Sequence, residues 1–293
     1  MKKMLFIVNP RAGKQKATKV LGEILAIFNR AGFCVQVYIT AGPKDATQAV
    51  KQFAPGMDLV VCSGGDGTFN ETVTGMLDSG LRIPIGYIPA GSTNDFAHSL
   101  KIPTKPLEAA NLIATGTPKP LDLGQFGDQY FSYVASFGAF TKVSYNTPQG
   151  IKNVLGHTAY LLEGVKELSN IHKIPVRIEL DGETLEDDYI FGAICNSTSI
   201  GGILTFNPDQ VDMADGLFEI LLVRSPKNLL EITELVNAIR KQNYNCKLMT
   251  FRSSNKATVR IDKETDWTLD GEMAPGAEEV AVANLYHAIE LIY

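Results

Sequence analysis

The chain has 293 residues, with 27 Lys+Arg against 32 Asp+Glu, a formal net charge of −5, 45% hydrophobic residues and a mean hydropathy of +0.01. These values exclude a disordered, collagen-like or disulfide-scaffold chain. They argue against bulk nucleic-acid binding, which needs a strong basic field, and they allow one large domain or two medium ones.

In chain order, residues 4–8 form a short apolar run, and 16–30 follow with helical spacing of Val20, Ile24, Ile27 and Phe28. Residues 33–39 alternate and are β-rich, 44–53 read as a short helix, 58–62 as a third strand, 69–77 as a helix and 83–88 as a fourth strand. This β-α-β-α-β-α-β order predicts a parallel sheet with right-handed crossovers. The pattern changes after Gly116, Pro118 and Pro120, which puts a domain boundary there. Residues 121–126 and 130–136 flank Gly127-Asp128 as one hairpin, and 174–180 and 184–194 flank Asp181-Gly182-Glu183 as another. Helices are predicted at 154–168 and 228–240, and late strands at 257–261, 280–283 and 288–293. The fold class is therefore α/β, with an N-terminal parallel-sheet domain and a C-terminal antiparallel β-rich domain.

No apolar stretch reaches the ~18 residues of a membrane span, and 4–8 is too short an apolar core for a signal peptide. A cytoplasmic protein without a nucleic-acid partner is expected. Cys34, Cys62, Cys195 and Cys246 lack CxxC spacing, and they read as buried free thiols. His98, His157, His172 and His287 show no ligand spacing and read as packed or surface side chains. Residues 145–160 read as a plain loop and helix ahead of a lipid-facing segment.

Three strand ends carry loops suited to chemistry. The first is Asn9-Pro10-Arg11-Ala12-Gly13-Lys14, where Arg11, Lys14 and Lys16 supply positive charge; a turn with solvated cations explains it equally well. The second is Ser63-Gly64-Gly65-Asp66-Gly67-Thr68. Its glycines let the backbone approach a phosphate, and Thr68 with Glu71 has capping-box spacing for a helix start that attracts anions. The third, residues 89–97, places Ser92, Thr93 and Asn94 before a helix that any of them could cap. Together the three loops imply a phosphate-rich ligand, most simply a nucleotide.

Two later segments are acidic. Asp209, Asp212 and Asp215-Gly216-Leu217 suit an oxygen-liganded cation such as magnesium, or a solvated turn. In Leu269-Asp270-Gly271-Glu272 either acid could act as a general base, but the same tripeptide at 181–183 reads as a turn, and on local sequence alone the turn reading wins at 270–272 as well.

The first loop, Gly64-Gly65-Asp66-Gly67-Thr68-Phe69-Asn70-Glu71 and the 89–97 segment together resemble the nucleotide-loop motifs of the diacylglycerol kinase catalytic-domain family. In particular the sequence looks like the soluble bacterial lipid kinases. Asp215-Gly216-Leu217 and Asp270-Gly271-Glu272 follow in the family's order, and His98 stands where many members have Arg. The Gly-Gly-Asp-Gly motif is shared with NAD kinases and phosphofructokinases.

The resemblance implies that Asn9, Pro10, Arg11, Ala12, Gly13, Lys14, Thr40, Ser63, Gly64, Gly65, Asp66, Gly67, Thr68, Thr93 and Asn94 contact ATP. It makes Glu272 the proton acceptor with Asp270 beside it. It puts Mg2+ at Asp215, with backbone groups of Asp212 and Leu217. It further implies a nucleotide domain over 1–120, a β-rich lipid domain over 121–285, a last strand at 286–293 returning to the first, and an active site in the cleft. The acceptor expected is diacylglycerol at the inner face of the membrane, met transiently; a homodimer is compatible. A soluble-substrate kinase of the NAD kinase type, a kinase of another lipid such as phosphatidylglycerol, and a non-catalytic nucleotide-binding protein are the alternatives.

Overall fold

The computed structural model describes residues 1–13, 16–91, 94–138, 173–200, 204–207 and 211–293. They form two compact units. Unit 1 is Met1–Leu123, Met213–Gly216 and Leu285–Tyr293; unit 2 is Gly124–Asp212 and Leu217–Asn284.

Unit 1 runs β1 (Lys2–Val8), α1 (Lys16–Lys19), α2 (Leu21–Arg30), β2 (Phe33–Ile39), α3 (Asp45–Phe53), β3 (Leu59–Gly64), α4 (Asp66–Asp78), β4 (Ile85–Pro89), α5 (Asp95–Ser99) and α6 (Pro106–Thr115). Its strands are parallel in the order β2, β1, β3, β4, and Leu291 and Ile292 pair in parallel with Ile85 and Gly86. Strand β3 is buried along its whole length, as expected of parallel strands covered by helices on both faces. Met4, Phe6, Val8 and Val61 pack with Ile24 and Phe28 of α2 and with Ala109, Ala110 and Ile113 of α6.

Unit 2 is mainly antiparallel. After β5 (Pro118–Phe126) come β6 (Gln129–Phe131), β7 (Val134–Gly138), β8 (Ile174–Glu179), β9 (Thr184–Cys195), β10 (Ser199–Ile200), β11 (Leu204–Thr205) and β12 (Phe218–Arg224). Helix α7 (Leu229–Arg240), β13 (Met249–Ser254), β14 (Lys256–Ile261), β15 (Trp267–Leu269), β16 (Glu272–Ala274) and β17 (Glu279–Ile292) follow. Trp267 is fully buried between Phe126 and Phe137, with ring centroids 4.8 and 4.9 Å away.

Several expectations change. The 16–30 helix is two helices, because Val20 leaves the helical region at φ −112°, ψ 20°. The hairpin after residue 120 exists, but its second strand stops at Phe131 and resumes at Val134, where the intervening N–H groups turn to a carboxylate. The two last strands are one, β17, with a left-handed residue, His287 (φ 47°), inside it. Cys34 is exposed and not buried, because β2 is the end strand of its sheet. The segments 139–172, with the predicted helix, His157 and His172, and 208–210, with Asp209, lie outside the described residues. No helix among the described residues is long and apolar enough to cross a membrane.

Candidate functional site

The loops that follow β1, β3 and β4 meet through their smallest residues. Gly13 (φ 52°) sits so close to the Ala90 carbonyl that any Cβ would collide with it. A Cβ on Gly91 would lie 2.7 Å from the Gly65 Cα. These glycines are therefore required by backbone-to-backbone approach, and Gly13 also by its left-handed conformation. Side chains complete the joint. The Asn9 amide donates to Thr68 Oγ1 (2.9 Å), while Asn9 Oδ1 accepts from the Arg11 N–H (3.0 Å). Thr40 is buried beyond β2 and donates its N–H to Val8 O (2.9 Å).

Helix α4 begins inside the second loop, with Gly65 as its N-cap and Asp66, Gly67 and Thr68 in its first turn. First-turn N–H groups have no partner within their own helix and carry the positive dipole end. The expected Thr68–Glu71 capping box does not form, because the helix starts before Thr68. The Glu71 carboxylate instead accepts from Lys44 N (2.7 Å) and Ala46 N (3.2 Å), capping α3. Asp66 Oδ2 likewise accepts from Asp95 N (3.2 Å) at the start of α5. Asn94 occupies the N-cap of α5 without capping it: held at φ 53°, it exchanges two hydrogen bonds with Gly91. Ser63 is fully buried, and its Oγ has no hydrogen-bond partner among the described residues. Arg11 is exposed; Lys14, Ser92 and Thr93 lie outside the described residues.

Tyr87 lies beneath this loop, its hydroxyl 3.3 Å from Gly64 O. Burial, followed by the Asp66 charge, pushes that hydroxyl well above its usual range. Burial also pushes the Cys62 thiol up to about 12, which leaves it protonated and unreactive.

Asp122 was not singled out by the sequence. It is fully buried and ties two distant pieces of unit 1 together. Its Oδ2 accepts from Gly216 N (2.6 Å), its Oδ1 from His287 N (2.7 Å), and its own N–H donates to Met213 O (2.9 Å). A lone acid between Leu121 and Leu123 in an apolar run is the available signal. The segment it holds contains Asp215, which is exposed. Asp212 and Leu217 belong to unit 2, where Asp212 is exposed and the Leu217 carbonyl accepts from Asn284 Nδ2 (3.0 Å). Among the described residues no three His, Cys, Asp or Glu side chains converge as a metal site.

In unit 2, Asp270 and Gly271 form the two-residue turn between β15 and β16, with φ of 50° and 86°. That Asp-Gly pairing is the type I′ turn a tight hairpin favours. The Asp270 carboxylate is buried and accepts from Ser132 N (2.6 Å), Tyr133 N (2.9 Å) and Val134 N (3.1 Å). Glu272, at the first position of β16, is exposed. The two acids thus differ: Asp270 is bound to backbone, and Glu272 is presented outward. At 181–183 the same tripeptide sits in a longer loop, and Glu183 pairs with Arg252.

Two family models cover the chain: the diacylglycerol kinase catalytic domain matches residues 3–126, and the YegS C-terminal NAD kinase beta sandwich-like domain matches residues 134–291. These two matches, together with a parallel sheet with glycine-joined loops and an antiparallel β-rich domain, assign the chain to the NAD kinase-like superfamily. A diacylglycerol kinase of Bacillus subtilis (strain 168) is 33% identical over 298 residues, spanning 100% of this chain and 96% of that protein. One of Staphylococcus carnosus (strain TM300) is 30% identical over 273 residues, spanning 92% and 89%. A crystal structure of a diacylglycerol kinase from Bacillus anthracis str. Sterne superimposes with a TM-score of 0.76 at 27% identity, covering 100% of this chain and 97% of that one. The chain belongs to the diacylglycerol kinase catalytic-domain family.

Proposed function

We propose that this protein is an ATP-dependent lipid kinase that transfers the γ-phosphate of ATP to a lipid hydroxyl, converting diacylglycerol to phosphatidic acid. The observation that carries the reading is the glycine-joined cradle of Gly13, Gly65 and Gly91 leading into the start of α4. Backbone N–H groups at a helix start suit phosphate oxygens, and the residues from Asn9 to Lys14, Thr40, Ser63 to Thr68, Thr93 and Asn94 form the nucleotide set. The relatives named diacylglycerol kinase support the choice of acceptor.

Phosphoryl transfer depends on positioning and charge stabilisation more than on covalent chemistry by the protein. Glu272 takes the proton of the lipid hydroxyl, whose oxygen then bonds to the γ-phosphorus as the bond to the bridging oxygen breaks and ADP leaves. Asp270 fixes the turn from which Glu272 projects. Asp215, with backbone groups of Asp212 and Leu217, would hold Mg2+. These are oxygen donors, and magnesium takes few protein carboxylates and fills its shell with water and phosphate oxygens. When bound, the ion supplies charge neutralisation at the triphosphate. The enzyme works in the cytoplasm and docks transiently on the inner face of the membrane through local basic residues.

The test is Glu272→Gln assayed with labelled ATP against diacylglycerol, phosphatidylglycerol and NAD. The wild type should phosphorylate diacylglycerol, and the variant should bind ATP normally while losing about 100-fold or more of turnover. Near-normal turnover in the variant removes Glu272 from the chemistry, and phosphorylation of NAD alone replaces the lipid acceptor with a soluble one.

A further inference from the structure

His287 takes φ 47°, a conformation that non-glycine residues seldom adopt and that persists only where surrounding contacts impose it. Three contacts do so within unit 1. The His287 N–H donates to buried Asp122 Oδ1 (2.7 Å), whose other oxygen holds Gly216 N (2.6 Å). His287 Nε2 lies 3.1 Å from the Ala214 carbonyl, which can only accept, so Nε2 carries the proton there. The Tyr286 ring stacks on the imidazole at 3.7 Å, and a Cβ on Gly216 would touch that ring at 3.2 Å. The residues flanking Asp215 are thus held on both sides, at Ala214 by the imidazole and at Gly216 by Asp122, with the Tyr286 ring lying beside Gly216 and stacked on that imidazole.

From this geometry we infer that Tyr286 and His287 are positioning residues that hold the Ala214–Gly216 turn so that Asp215 is presented in one orientation to a divalent cation. The inference rests on the proposed role of Asp215. Neither residue touches substrate; each acts through the turn. Partners of this outer kind commonly alter metal affinity by about tenfold or more when removed.

The test uses the full chain with Mn2+ as the probe, its binding followed by electron paramagnetic resonance without nucleotide. His287→Asn keeps a residue that tolerates the left-handed conformation but is too short to reach Ala214. His287→Gln keeps an N–H of the right reach. Tyr286→Ala removes the ring from a position that is 60% exposed, where folding is not at stake. Mn2+ affinity should fall about tenfold in His287→Asn, fall severalfold in Tyr286→Ala, and recover to within about threefold of wild type in His287→Gln. The Mg2+ concentration for half-maximal turnover should rise in parallel, with KM for the lipid unchanged. Wild-type Mn2+ binding in both His287→Asn and Tyr286→Ala, alongside impaired binding in Asp215→Asn, overturns the inference and leaves the reading of Asp215 intact. Unimpaired binding in Asp215→Asn overturns that reading and the inference with it. Weak binding in His287→Gln with normal binding in His287→Asn would show that backbone strain, and not the imidazole, sets the turn, and this also overturns it.

Discussion

Asp122 and Asp270 solve one problem in the same way. Each is a carboxylate removed from solvent whose oxygens accept backbone N–H groups, two for Asp122 and three for Asp270. Such charge-assisted bonds are strong, and leaving the donors buried without an acceptor is costly. Asp270→Asn isolates this effect, because asparagine tolerates the left-handed φ of 50°. The substitution replaces one acceptor oxygen by an NH2 group facing a donor. A loss of about 2 kcal/mol in urea unfolding is expected; a loss below about 0.5 kcal/mol would show that the three bonds are not what stabilises the turn. The Asp-Gly turn itself was legible in the sequence, because turn chemistry is local. The partners of Asp270 were not, because Ser132 to Val134 lie more than 130 positions upstream.

Helix α3 shows how far an element can depend on another. Its N-cap, Lys44, is left-handed (φ 64°) and contributes no side-chain cap. The cap comes from Glu71 of α4, across 25 and 27 positions of sequence. Thr68 and Glu71 have the spacing of a capping box, but α4 starts before Thr68, with Gly65 as its N-cap, so the box cannot form and Glu71 serves α3 instead. Asp66 behaves likewise toward α5. Replacing Glu71 with Ala should therefore destabilise a helix it does not belong to. The expected effect is about 1 kcal/mol in global stability, with amide exchange accelerating at Lys44 and Ala46 and not at the start of α4. Acceleration confined to α4 would restore the local capping box. The glycine loops were easier to read, since the need for glycine at a strand end is a property of the residue itself; which glycine meets which carbonyl required the fold.

On the scale of the molecule, alternation and helical spacing revealed a parallel half followed by an antiparallel half, because each pattern is a local consequence of which faces are buried. Assembly of unit 1 from three separate stretches of chain was beyond such patterns. Nothing in the residues near 290 says which strand they join. The structure places Leu291 and Ile292 beside Ile85 and Gly86, at 0% and 5% exposure, with the Ile292 side chain against Gly116. The opposite terminus is ordinary: Met1 is 84% exposed. Leu291→Ala should behave as a core substitution. Removing a fully buried leucine side chain costs about 3 kcal/mol through lost transfer energy and the cavity left behind. The loss should appear in unit 1 as faster amide exchange in β3 and β4, while the β8–β9 hairpin of unit 2 keeps its protection. If Leu291→Ala leaves exchange in β4 unchanged, the last residues are a frayed end and not a member of the sheet, and the parallel core must be stable without them.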